Sequence, residues 1–238
     1  MIAMSELFTE PTKENVEIAR AEFDVWKDNP DPALTELFNR YPENTDPAHV
    51  LLKVVALNAC YATQIRVTSN LTPTVYYVAR HIVGLNIDTN LDQGAEDLVR
   101  DIAYTTVQGK AKRFNYSFAT KYCNWHRPHS YPIWDSRVDL YLWRLRNRET
   151  GKPEGFRQFK REELWRYPTF RQVVNDFKVH FRLEEFTFKQ IDKFLFVEGG
   201  KLFASKENAK QSVSTTESQQ NMAEMNEEEN ARSRVDRR

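Results

Sequence analysis

Two cysteines, no long apolar run, no sustained alternation and no net charge: the 238-residue sequence is first informative through what it does not contain. Cys60 and Cys123 cannot build a disulfide framework, so a reducing, cytoplasmic compartment is expected and both are read as small buried hydrophobes. No apolar stretch approaches the roughly 18 residues of a membrane span. Met1 to Glu10 lacks a basic region followed by an apolar core, so neither a membrane partner nor a secretory leader is expected. No run alternates apolar and polar residues for long enough to predict a sheet, and no internal repeat is visible. A mainly α protein follows, expected as a monomer, with one domain over 1–204. Its 40% hydrophobic and 13% aromatic content suffices for a sizeable core. Over 205–238 the aromatics stop and Ser, Thr, Gln, Asn and Glu dominate, so a disordered tail is expected.

The zero net charge hides an asymmetry. Residues 1–50 carry 4 Lys/Arg against 11 Asp/Glu, whereas 110–182 carry 17 against 7. A basic block of that size suits an anionic partner such as nucleic acid, and equally describes a solvated face. Apolar residues at threes and fours predict helices over Lys13–Lys27, Ala33–Arg40, Pro73–Ile82, Leu91–Tyr104 and Ser136–Arg148. Further helical patterning covers 162–182, and a last helix, Phe188–Val197, is expected to end at Gly199-Gly200. The helix over 48–64 opens at Asp46-Pro47 and is apolar round most of its circumference, which marks it as the central, buried one.

Reactive groups concentrate in 117–138. Ser117 is placed to cap a helix whose first turn ends at Lys121. There the positive helix terminus and flanking aromatics disfavour an ammonium and favour the neutral amine that Schiff-base chemistry requires, although most lysines simply snorkel to solvent. Asp135 follows the stiff run Tyr131-Pro132-Ile133-Trp134 and reads as the N-cap of the next helix, a role compatible with a catalytic carboxylate. Cys123, His126 and His129 have Cys-x2-His-x2-His spacing, which suggests a metal-dependent hydrolase, but Pro128 interrupts it and no fourth ligand is evident. His126 and His129 are candidates for phosphate or base contacts, or structural histidines. Trp125 and Trp134 either stack on a base or fill the core.

The run Ser117-Phe118-Ala119-Thr120-Lys121, with Pro132-Ile133-Trp134-Asp135-Ser136-Arg137-Val138 after it, resembles the helix-hairpin-helix DNA glycosylase superfamily, in particular the 8-oxoguanine DNA glycosylase fold proteins of bacteria. The resemblance implies a glycosylase-like helical domain that extrudes and excises a damaged or modified base from double-stranded DNA, in repair or in anti-phage defence. By motif position Lys121 matches the lysine that attacks the sugar C1′, and Asp135 the aspartate that completes the site. Arg137 stands where the family often has a phosphate-contacting histidine. The run Leu57 to Gln64 is similar to the helix end that inserts a polar wedge, here Gln64, into the gap left by the base. The usual glycine-rich hairpin before the lysine is replaced by Arg113-Phe114-Asn115-Tyr116, leaving Lys110, Lys112 and Arg113 to hold phosphate by charge. No cysteine cluster follows, so the iron–sulfur branch is not implied and no cofactor is expected. The competing readings are a non-catalytic DNA-binding module of the same fold, with Lys121 as a phosphate contact, and the hydrolase built on Cys123, His126 and His129.

Overall fold

The computed structural model describes residues 8–26, 29–65, 74–105, 113–152 and 154–205. Lys110, Lys112 and the tail expected from 205 lie outside them, apart from Ser205 itself. The described chain is mainly α. It runs through α1 (Lys13–Asp24), α2 (Asp31–Arg40), α3 (Pro47–Tyr61), α4 (Thr74–Gly84), α5 (Asp88–Asp92) and α6 (Asp97–Ala103). A two-residue ribbon follows, with β1 (Tyr104–Thr105) antiparallel to β2 (Arg113–Phe114) and Tyr104 opposite Phe114. Then come α7 (Tyr116–His126), α8 (Ser136–Glu149), a 3-10 turn (Arg161–Trp165), α9 (Tyr167–His180) and a last helix, α10, over 188–205. Among the described residues no helix is long and apolar enough to cross a membrane.

Local chemistry accounts for several starts. Thr12 caps α1 by accepting from Asn15 N at 3.2 Å, and Asp46 caps α3 by accepting from Ala48 N at 2.7 Å. Each such cap contributes about 1 kcal/mol. The helix expected over Leu91–Tyr104 is instead two, α5 and α6. Gly94 breaks it by adopting φ +65°, and its carbonyl accepts from Arg171 of α9 at 3.1 Å rather than continuing a helical ladder.

The most buried helix is not the expected one. α3 packs against α2, α4 and α7, yet Leu52 and Val55 face outward. In α7, nine of eleven residues are buried, Thr120, Lys121, Asn124 and His126 among them. Polar composition disguised it, because each of these side chains finds a partner inside the fold: Asn124 Nδ2 donates to Tyr131 O at 2.6 Å, and His126 Nε2 meets Lys53 Nζ at 3.3 Å. One apolar cluster extends from Val16 to Val197 and surrounds this helix. Of the two cysteines, Cys123 is buried, and burial pushes its thiol pKa up, whereas Cys60 is exposed against expectation.

Gly199-Gly200 does not stop α10. A Cβ on Gly199 would stand 2.3 Å from the Arg137 carbonyl oxygen, so the glycine exists for close approach: α10 lies directly on the first turn of α8. That contact fixes one wall of the site.

Candidate active site

Lys121 and Asp135 meet on the wall of a cleft of about 800 Å³. Lys121 Nζ lies 3.6 Å from Asp135 Oδ2, and the two side chains are 4% and 14% exposed. The ammonium also donates to Ser117 Oγ at 2.8 Å and sits 5.5 Å from the centre of the Tyr61 ring. Asp135 divides its carboxylate. Oδ1 accepts from the Arg137 and Val138 amides at 2.9 and 3.0 Å, capping α8, which leaves Oδ2 for the lysine. A cap and a partner for Lys121 are therefore one residue.

The meeting depends on two ties between α7 and the segment that follows it. Thr120 Oγ1, one position before the lysine, accepts the Trp134 amide at 3.1 Å and lies 3.0 Å from the Ser117 carbonyl, to which it donates. Asn124 holds the Tyr131 carbonyl one turn further on. The helix starts at Tyr116 with Asn115 as its cap, so the expected cap, Ser117, is inside it and binds Lys121 instead. Lys121 consequently stands in the second turn, beyond the reach of the helix terminus.

The rim carries three of the polar residues singled out from the sequence. Gln64 is exposed at φ +61°, next to Ala62 at φ 47°, two non-glycine residues in the left-handed region. Asn58 holds that loop from both sides: its Nδ2 donates to Ile65 O at 2.9 Å, and its Oδ1 accepts from Ile65 N at 2.9 Å. Arg113 lines the cleft from β2. Arg137 lines it from α8, its guanidinium 4.2 Å from the centre of the Phe196 ring of α10.

Aromatic rings make the rest of the wall. Trp134 lies 4.2 Å from Trp165 and 5.2 Å from Tyr116, centre to centre, and Phe114 stacks on Tyr116 at 5.3 Å. Trp165 and Phe114 are 48% and 38% exposed, so flat apolar surface is left facing the opening. Trp134 is thus both core and cleft wall, whereas Trp165 carried no signal in the sequence beyond its residue type.

Other expected site residues do not reach the cleft. Trp125 is part-buried elsewhere, with Lys189 Nζ 3.5 Å over its ring and Phe38 beside it. That corrects its placement in a base pocket. His126 is buried against Lys53 and Phe38, where burial, then the charges of Lys53 and Arg127, hold its pKa well below the ordinary value. It is no surface contact for DNA. His129 is exposed in the turn after α7 and does not line the cleft. Cys123, His126 and His129 thus occupy core, core edge and surface. Among the described residues no three His, Cys, Asp or Glu side chains are grouped to hold a metal ion.

Sequence reading missed Asp192 of α10. Its Oδ1 is shielded from solvent without a hydrogen-bond partner, and Asp135, Lys189, Lys121 and Asp31 are the charges acting on it. Apart from Lys189 of the same helix, these groups come from three other elements, so its neighbourhood in sequence gives little sign of this.

Residues 8–130 match the family described as HI_0787_N, N-terminal domain, and the chain belongs to that family. The matched part includes Lys121 and ends before Asp135. A protein of Haemophilus influenzae, described only as uncharacterized, is 38% identical over 135 residues, which cover 56% of this chain and 61% of that relative. No solved structure matches the chain.

Proposed function

We propose that the protein is a DNA glycosylase that extrudes a damaged or modified base from double-stranded DNA and excises it through Lys121 and Asp135. The observation that carries this reading is the placement of an amine and a carboxylate 3.6 Å apart beside an aromatic-walled cleft. A base inside a duplex is out of reach of side chains, so the nucleotide has to leave its stack, and an aromatic wall offers the leaving base a new stacking surface. Gln64, presented by the strained loop after α3, fills the vacancy. Arg113 and Arg137 hold the flanking phosphates, together with Lys110 and Lys112 outside the described residues.

Chemistry follows from the pair. Asp135 Oδ2 takes a proton from the Lys121 ammonium, leaving the lone pair on nitrogen. The amine attacks C1′; the bond from C1′ to the base breaks with its electrons going to the base, the departing base takes the proton that Asp135 holds, and the carboxylate so restored stabilises the positive charge left on the sugar side. The C1′–O4′ bond then opens, its electrons and one proton of the bound amine going to O4′, and the protonated imine so formed permits strand cleavage. Supporting this division of labour, Asp135 keeps Oδ1 committed to the α8 amides, so Oδ2 alone is free to act.

A panel of duplexes carrying different damaged or modified bases, read by release of free base and by borohydride trapping of protein on DNA, tests the proposal. Lys121→Gln abolishes trapping and Asp135→Asn loses excision while DNA binding persists. Trapping that survives Lys121→Gln overturns the assignment of the nucleophile. DNA binding without excision or trapping on any duplex assigns the cleft to a non-catalytic module.

A further inference from the structure

A row of aromatic rings begins inside the cleft and continues past its mouth. Trp134 and Tyr116 are buried at its inner end, and Trp165 and Phe114 stand part-exposed at the opening. Tyr104 lies beyond them, 44% exposed and outside the cleft lining. We propose that the outer rings, Trp165, Phe114 and Tyr104, are a stacking platform for the unpaired bases of single-stranded DNA. This rests on the proposed function only in taking DNA as the ligand of the cleft, and not on the excision step.

The ribbon fixes the outer end of the row. Tyr104 is paired with Phe114 in the antiparallel register, and their ring centres lie 4.7 Å apart. Asn115 N donates to Ala103 O at 2.9 Å, which closes the ribbon where it meets α6 and α7. Phe114 in turn lies nearly parallel to Tyr116, with 9° between the ring planes at 5.3 Å. The Tyr116 hydroxyl donates to Leu164 O at 3.2 Å and so ties the start of α7 to the 3-10 turn that carries Trp165. The Trp165 ring is 5.8 Å from Tyr116 and 6.5 Å from Phe114. These rings are held before a ligand arrives, so stacking on them costs little side-chain freedom. Among the described residues Phe114 is the one ring beside Tyr104, which leaves the outer end of the row open to a further ring.

Trp165, Phe114 and Tyr104 are not scattered surface residues; they form one exposed patch continuous with the cleft. Shape and charge decide what covers it. In a duplex the base faces are stacked on one another, and only base edges and phosphates are presented. An unpaired base offers an open face that an aromatic ring matches. Cations accompany the rings: Arg113 precedes Phe114 and lines the cleft, Arg137 lines it from α8, and the exposed Arg166 follows Trp165. Rings for the bases with arginines for the phosphates are what a single strand requires, whereas an uncharged peptide would leave the arginines unused. A strand with bases on Tyr104 and Trp165 is led to the mouth of the cleft, and no duplex has to be opened there.

Fluorescence anisotropy of end-labelled oligonucleotides, measured on the full chain at fixed salt, tests this. Three probes of equal length are compared: single-stranded oligothymidylate, its blunt duplex with oligoadenylate, and a strand whose bases are all replaced by abasic sites. The single strand binds about tenfold more tightly than either of the others, because it alone has free base faces. Tyr104→Leu and Trp165→Leu each weaken its binding about fivefold or more, Tyr104→Phe retains it, and affinity for the abasic strand stays where charge alone sets it. Equal affinity for single strand and duplex, or single-strand affinity that survives both leucine substitutions, overturns the inference. So does a proline-rich peptide that binds these rings while the oligonucleotide does not, which assigns them to a protein partner. Preference for the single strand without base excision from any DNA supports the inference and overturns the proposed function. Excision from duplex without that preference overturns the inference alone.

Discussion

Lys53 and Lys121 stand on the adjacent helices α3 and α7, both nearly out of solvent, and they differ in how fully their ammonium groups are occupied. Lys53 Nζ donates to Tyr41 O at 3.0 Å, Glu43 O at 2.9 Å and Asn44 Oδ1 at 2.8 Å, with His126 Nε2 at 3.3 Å. An ammonium has three hydrogens, so this one has nothing left to offer. Lys121 has a single short bond, to Ser117, and a looser contact with Asp135. Both lysines are buried, and the under-occupied one borders the cleft described above. Free bonding capacity, rather than burial, separates the lysine that holds the fold from the one proposed to react.

Substitutions at the two lysines should fail in opposite assays. Lys121→Gln is expected to remove borohydride trapping altogether while changing unfolding free energy by about 1 kcal/mol, since the glutamine amide can still donate to the part-buried Ser117 hydroxyl. Lys53→Met should leave trapping intact below its melting temperature but cost about 3 kcal/mol in chemical denaturation, because three acceptors, the Asn44 amide oxygen among them fully buried, lose their donor. If Lys53→Met also abolishes trapping in folded protein, the contrast is broken.

Gly199→Ala perturbs the Lys121 side alone. Its methyl would stand 2.3 Å from Arg137 O, so α10 has to move, at about 1–3 kcal/mol and with weaker trapping. Gly84→Ala, where nothing lies within 4 Å, is the control and should be nearly neutral by thermal melting.

The smallest effect is a pH slope on the Lys53 side. The folded pKa of His126 is depressed below its ordinary 6.5, so below that value the unfolded chain binds a proton that the folded one refuses. The stability present above pH 6.5 is lost as pH falls toward the folded value. Denaturation curves at pH 7 and pH 5 should show the loss, and His126→Asn should reduce it.

What the sequence disclosed was local. Asp46 and Asp135 announce helix starts because a cap and its amides lie within three residues, and the structure has both. The buried character of α7 was illegible, since Lys121, Asn124 and His126 look like surface residues until distant partners arrive; His126 and Lys53 are 73 positions apart. Gly199-Gly200 reads as a stop or as a place of close approach, and only the neighbouring helix decides which. Asp192 was invisible for the same reason. Lys121 and Asp135 stood out through a resemblance in motif, while the ties that bring them together, Thr120 and Asn124, carry no signal of their own.

Asp135 cannot swivel without releasing the amides that start α8. The acid is in effect bolted to the scaffold, and the lysine is held to it. Whatever reacts with this pair must therefore be carried to a fixed point, and the work of deformation falls on the visiting molecule. Under the proposed function, nucleotides already loosened by mispairing, damage or strand separation have the least of that work to do.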